Sequence, residues 1–123
     1  MIRLLVLTNI ASAFKVSSST ITTATAIMAI QAIDFEVYGK VQGVFFRKYT
    51  KDQAKKLDLK GWCKNTRFGT VQGHIQGPPE KIETMMEWLK KTGSPSSKIE
   101  KAEFTNQKNI SNYTFSNFEI LKD

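Results

Sequence analysis

The 123 residues, 41% of them hydrophobic and 24% charged, suffice for one domain with a single core and nothing larger. No run of 18 or more apolar residues occurs, which excludes a spanning helix, and one cysteine, Cys63, excludes a disulfide framework or a site of several thiolates. The net charge of +7 favours an anionic partner, whether a phosphorylated metabolite, nucleic acid or a membrane surface, without choosing among them.

Residues 1–32 differ in character from the remainder. None of the 11 acidic residues precedes Asp34, and Ser17-Ser18-Ser19-Thr20 with Thr22-Thr23 separates weakly apolar pieces. Met1-Ile2-Arg3-Leu4-Leu5-Val6-Leu7 followed by Ala11-Ser12-Ala13 has the outline of a short signal sequence, interrupted by Thr8-Asn9. Hydroxyl enrichment without acids also suits a mitochondrial presequence, for which Arg3 and Lys15 are few charges. The expectation is a disordered extension over 1–32 and a folded domain over 33–123.

From Ile33 the pattern becomes regular. Ile33, Phe35 and Val37 alternate with Asp34, Glu36 and Tyr38, which predicts a half-buried strand ending at Gly39. A glycine-bearing loop, Lys40-Val41-Gln42-Gly43-Val44-Phe45, then leads into a helix. In that helix Phe46, Tyr49, Gln53, Ala54 and Leu57 are expected to form the core stripe opposite Lys48, Lys51, Asp52, Lys55 and Lys56. Residues 59–65 and 70–76 read as two strands of a hairpin around Thr66-Arg67-Phe68-Gly69, with Val71 and Ile75 on one face.

Gly77-Pro78-Pro79 stops the hairpin and opens a second helix, with Glu80 at its positive end and Ile82, Met85, Met86 and Leu89 as its apolar row. Gly93 terminates it. Two further extended segments cover residues 99–106 and 113–121. The order β-α-β-β-α-β, with room for an extra edge strand, predicts an α+β, ferredoxin-like sandwich: an antiparallel sheet carrying two helices on one face. That fold houses many functions, so the site must decide.

Two blocks carry more than fold. The first reads Gly39-Lys40-Val41-Gln42-Gly43-Val44-Phe45-Phe46-Arg47, and the second Gly61-Trp62-Cys63-Lys64-Asn65-Thr66 with Gly69-Thr70-Val71 and Gln76-Gly77-Pro78. Together they resemble the acylphosphatase family from about Ile33 to the C-terminus, and Gly93-Ser94-Pro95-Ser96-Ser97 and residues 113–120 are similar to its second half. Phe45-Phe46-Arg47-Lys48 is closer to the organ-common than to the muscle form. The extension before Ile33 departs from the family, and translation from Met28 would give a chain of the family's usual length.

The resemblance implies hydrolysis of an acyl phosphate to a carboxylate and inorganic phosphate, by a monomer without metal or other cofactor. It places the phosphate on the loop of Gln42, Gly43, Val44, Phe45 and Phe46 and on Arg47, and gives Asn65 the orientation of the attacking water. The residue types suit those tasks. A loop entering a helix N-terminus offers free amides and a favourable dipole, Arg47 offers a bidentate fork, and an Asn amide accepts from water while donating to an oxygen. Thr66 and Thr70 are candidates to steady Asn65 from behind. Inorganic phosphate, the product, is expected to compete with substrate.

Other features carry less. His74 is a single histidine with no second ligand cluster, so no metal site is expected. Arg67 follows Cys63 by four residues, which is not the spacing of a cysteine-phosphatase loop, and Cys63 reads as a packed strand residue. Gly39 to Gly43 lacks the Gly-Lys-Ser/Thr ending of a nucleotide P-loop. The rival reading is a non-catalytic RNA-binding or interaction module, favoured by the charge and by Arg67-Phe68-Gly69. It lacks the stacking aromatics on adjacent central strands, where Gln72 and His74 stand instead, so neither nucleic acid nor membrane is expected as a partner. With no disulfides to protect, the cytoplasm is the expected compartment, and the sequons at Asn109 and Asn112 have no use there.

Overall fold

The computed structural model describes residues 29–122, and the expectations about the leading segment and Met28 lie outside them. The elements in chain order are β1 (Ile30–Lys40), α1 (Phe46–Lys56), β2 (Lys60–Asn65), β3 (Val71–Gly77), α2 (Pro79–Lys91), β4 (Lys98–Ile110) and β5 (Phe118–Ile120). The five strands form one sheet in the order β4-β1-β3-β2-β5. The expected antiparallel sheet is present in its first four strands. The fifth pairs parallel with β2, Cys63 opposite Ile120, so the sheet is mixed.

Register decides which side chains reach the core. Ile33 lies opposite Ile75, Phe35 opposite Gly73 and Val37 opposite Val71, while Gly61, Cys63 and Asn65 face the same three β3 residues from the other side. This row points towards the helices and joins Phe46, Ala54, Ile82, Met85, Leu89 and Phe118 in one buried cluster. Burying an aliphatic or aromatic side chain of this size contributes about 1.5–3 kcal/mol, so the row is the main source of stability.

Three expectations change. The first strand begins at Ile30, so residues 30–32 belong to the sheet and not to the extension. Ile30 pairs with Ile110, and Ala32 is buried on the other face. A register shift between Ala32 and Asp34, opposite the left-handed Asn106, breaks the simple alternation there. In α1 the buried row is Phe46, Thr50 and Ala54, whereas Tyr49 is 39% exposed. Thr50 is tolerated inside because its hydroxyl donates to the Phe46 carbonyl at 2.7 Å. Of residues 113–121 only Phe118–Ile120 pair as a strand, and the stretch before them folds over the open face of the sheet.

Candidate active site

The chain leaves β1 and turns through two left-handed residues, Gly43 (φ 75°) and Phe45 (φ 61°), before α1 starts at Phe46. A Cβ on Gly43 would meet nothing within 4 Å, so its dihedral and not crowding calls for glycine, and the space over it stays open. Phe45 caps α1 without any side-chain hydrogen bond, and the first turn holds no acidic residue. Among the described residues no loop backbone hydrogen bond is donated by the amides of Gly43, Val44, Phe45 or Phe46. A helix N-terminus with donors unspent and no carboxylate to neutralise it favours an anion.

Arg47 is the second residue of α1, and Asn65 is the last of β2. They meet because α1 packs on β2, and because Asn65 follows Cys63 by two residues and therefore shares its helix-facing side. Both line a cleft of about 510 Å³ together with Gly43, Phe45, Phe46, Lys48 and Lys122. Asn65 Oδ1 is buried and has no hydrogen-bond partner, while the residue lines that cleft. Beneath them the Cys63 thiol donates to the Arg47 carbonyl at 3.9 Å. Burial pushes this thiol up to about 12, against the opposing pull of Arg47 and Lys51, so it is a packed neutral group and not a nucleophile.

Thr66 and Thr70 form a relay. The Thr70 hydroxyl donates to Glu36 Oε2 at 2.6 Å and lies 2.6 Å from the Thr66 hydroxyl, which in turn accepts from the amides of Phe68 and Thr70. With the Thr70 proton committed to the carboxylate, the Thr66 hydroxyl donates to Thr70. These bonds hold the turn that follows Asn65. Gln42 is half-buried, and its amide donates to the Thr66 and Thr70 carbonyls, both at 2.8 Å. Its side chain is thus a tether between loop and hairpin, and only its main chain remains for an anion. This tether, and Lys122 at the edge of the cleft, were not readable as site features in the sequence. A glutamine beside a loop glycine signals nothing about hairpin carbonyls 24 and 28 residues on.

His74 sits on the opposite face of the sheet. Its Nδ1 is 2.7 Å from Asp34 Oδ1, its ring packs on Phe115 at 5.6 Å between centroids, and Gln76 bonds Thr114 through both amide atoms. Burial raises the Asp34 carboxyl, but hydrogen bonds from Asn106 and His74, with the charges of His74 and Lys108, outweigh it and leave the group below its ordinary range. The cluster fastens residues 111–117 over the sheet. Asp34, Glu36 and Glu103 share that face with Lys60, Lys64, Lys101 and Lys108, so it carries charges of both signs. Among the described residues no group of three His, Cys, Asp or Glu is arranged to hold a metal, and no helix is long and apolar enough to cross a membrane.

A model of the acylphosphatase family matches residues 33–120, which span the loop, Arg47, Asn65 and the whole sheet core. The chain belongs to the acylphosphatase family. It is 55% identical over 91 residues to acylphosphatase-2 of Rattus norvegicus, covering 74% of this chain and 94% of that protein. To acylphosphatase-1 of Mus musculus it is 54% identical over 91 residues, covering 74% and 92%. These two values do not separate the two forms. Among solved structures, the acylphosphatase from Bacillus subtilis superposes with a TM-score of 0.68 at 33% identity, over 74% of this chain and 98% of that one. The protein is accordingly an enzyme, a hydrolase acting on acid anhydrides with acylphosphatase activity.

Proposed function

We propose that the Gln42–Phe46 amides and Arg47 hold the phosphoryl group of an acyl phosphate while Asn65 orients the water that attacks it. The observation that carries this reading is the single cleft shared by the open helix N-terminus, Arg47 and the unpartnered Asn65 Oδ1. The carboxylate leaving group departs without a proton, so no strong general acid is needed. Positioning and charge stabilisation suffice.

In this reading the water donates one hydrogen bond to Asn65 Oδ1, and its oxygen attacks phosphorus in line with the acyl oxygen. The bond from phosphorus to that oxygen breaks, and its electron pair leaves with the carboxylate. Asn65 cannot take the water's proton, which passes to a phosphoryl oxygen of the substrate. The Arg47 guanidinium and the loop amides meet the charge shared over the equatorial oxygens, which a lysine point charge would match less well. Thr66 and Thr70 act through the turn they hold.

The reaction as drawn uses no metal or organic cofactor, and inorganic phosphate, as product, occupies the same cradle. The enzyme is taken to act as a monomer, and the free thiol of Cys63 suits the cytoplasm. The test is hydrolysis of an aryl acyl phosphate in the presence of a chelator and of inorganic phosphate. Full activity with chelator and competitive inhibition by phosphate are expected. Activity that is lost with chelator and restored by a divalent ion would overturn the cofactor-free reading.

A further inference from the structure

Two clefts meet at the proposed site. The first holds the loop and Arg47, and a second, of about 700 Å³, runs from Glu36 and Tyr38 to Arg67 and Phe68. They share Asn65 and Lys122. In-line displacement places the departing acyl oxygen opposite the attacking water. If Asn65 holds the water, the acyl group points away from Asn65, a residue that also lines the second cleft. The rest of the first cleft's lining is Val41, Ile120 and Leu121 beside the loop and α1, where Phe45 and Lys48 stand, and Phe45 is the most exposed large apolar side chain among them.

Phe45 is an unusual rim residue. A bulky side chain stands in left-handed backbone (φ 61°, ψ 26°) where glycine would be unstrained, and the residue is 73% exposed. Strain and exposed apolar area both cost stability, and the ring takes no part in the buried core. Lys48, which lines the same cleft, is ion-paired to Asp52 at 3.1 Å and stands over the Tyr49 ring.

We infer that the Phe45 ring is a specificity element which receives the acyl portion of the substrate and favours flat, aromatic acyl groups over small aliphatic ones. The inference rests on the assignment of Arg47 and Asn65 above. An offset or edge-to-face contact between two rings favours the aromatic substrate by about tenfold beyond its area.

The test compares kcat/KM for benzoyl phosphate and acetyl phosphate in the wild type, Phe45→Leu and Phe45→Gly, with phosphate inhibition measured in each. Phe45→Leu removes the ring while keeping a side chain at the same backbone position, and Phe45→Gly also relieves the left-handed strain. Both are expected to lower the benzoyl-to-acetyl ratio of kcat/KM by about tenfold, with the phosphate inhibition constant moving by less than about threefold. Equal losses for the two substrates, or loss of phosphate inhibition, would show that Phe45 serves only the loop's shape and would overturn the inference. Arg47→Gln, run in parallel, separates the two levels. Turnover and phosphate inhibition that survive Arg47→Gln would refute the site assignment itself, whatever the Phe45 variants do.

Discussion

The side-chain amide of Gln42 donates to the Thr66 carbonyl at 2.8 Å and shares its second hydrogen with the Thr70 carbonyl at the same distance. This one residue fixes the spacing between the loop proposed to hold phosphate and the hairpin that ends in Asn65. Gln42→Ala should therefore lower stability by about 1–2 kcal/mol, the net value of two hydrogen bonds whose acceptors keep other partners. It should also lower kcat/KM by about tenfold, because a misplaced cradle loses preorganisation. Thermal melting and initial rates measure both. A stability loss with unchanged kinetics would show that loop and hairpin stay aligned without the tether.

Arg47 and Asn65 should separate by what each removes. Arg47→Gln deletes charge present in ground and transition states, so phosphate inhibition weakens and turnover nearly vanishes. Asn65→Ala should leave phosphate inhibition near wild type while kcat falls by about 10²-fold or more, the scale of a lost preorganised contact. Since Oδ1 is buried without a partner, removing it should not lower the melting temperature and is expected to raise it. A variant that kept its turnover and lost phosphate affinity would make Asn65 a phosphate clamp instead.

Gly61 tests the core register. Its φ is 141°, and a Cβ there would stand 1.9 Å from the His74 carbonyl oxygen, a backbone atom of β3 that cannot move aside. Gly61→Ala should destabilise the domain by at least about 3 kcal/mol, combining strain with a strand-strand clash. Chemical denaturation checks it, and a loss below about 1 kcal/mol would mean that β2 and β3 separate locally at little cost.

Cys63 predicts a pH effect with a definite sign. Its thiol is held neutral by burial, up to about 12 in the folded chain against 9.0 as the ordinary value. The unfolded chain therefore releases this proton first as pH rises. Stability is unaffected below pH 9 and falls between 9 and 12, by up to about 1.4 kcal/mol per pH unit from this group. Cys63→Ala should flatten that part of the profile relative to wild type. At pH 8 the native thiol should also resist a disulfide reagent that labels it at once in denaturant, and rapid labelling of the native chain would contradict its burial.

Much of this protein was legible in the residue order. The twofold alternation at Ile33, Phe35 and Val37, the row Ile82, Met85 and Leu89, and the breaks at Gly39, Gly77-Pro78 and Gly93 are local consequences of strand and helix periods. So the elements and the ferredoxin-like order could be read in sequence, and the two blocks around Gln42 and Asn65 pointed to the family that the comparisons then showed. What residue order could not decide depends on partners far away along the chain. Thr50 displaced Tyr49 from the core because its hydroxyl found the Phe46 carbonyl and α1 settled against β2 and β5. Ile30 and Ala32 joined the sheet because Ile110 and Lys108 offered backbone pairs 80 and 76 residues later. The unpartnered acceptor of Asn65, the Gln42 tether and the parallel docking of Phe118–Ile120 on β2 arise only when β2, α1 and the C-terminal strand are brought together. Periods report which way a side chain faces along its own element, and only packing between elements determines what it finds there.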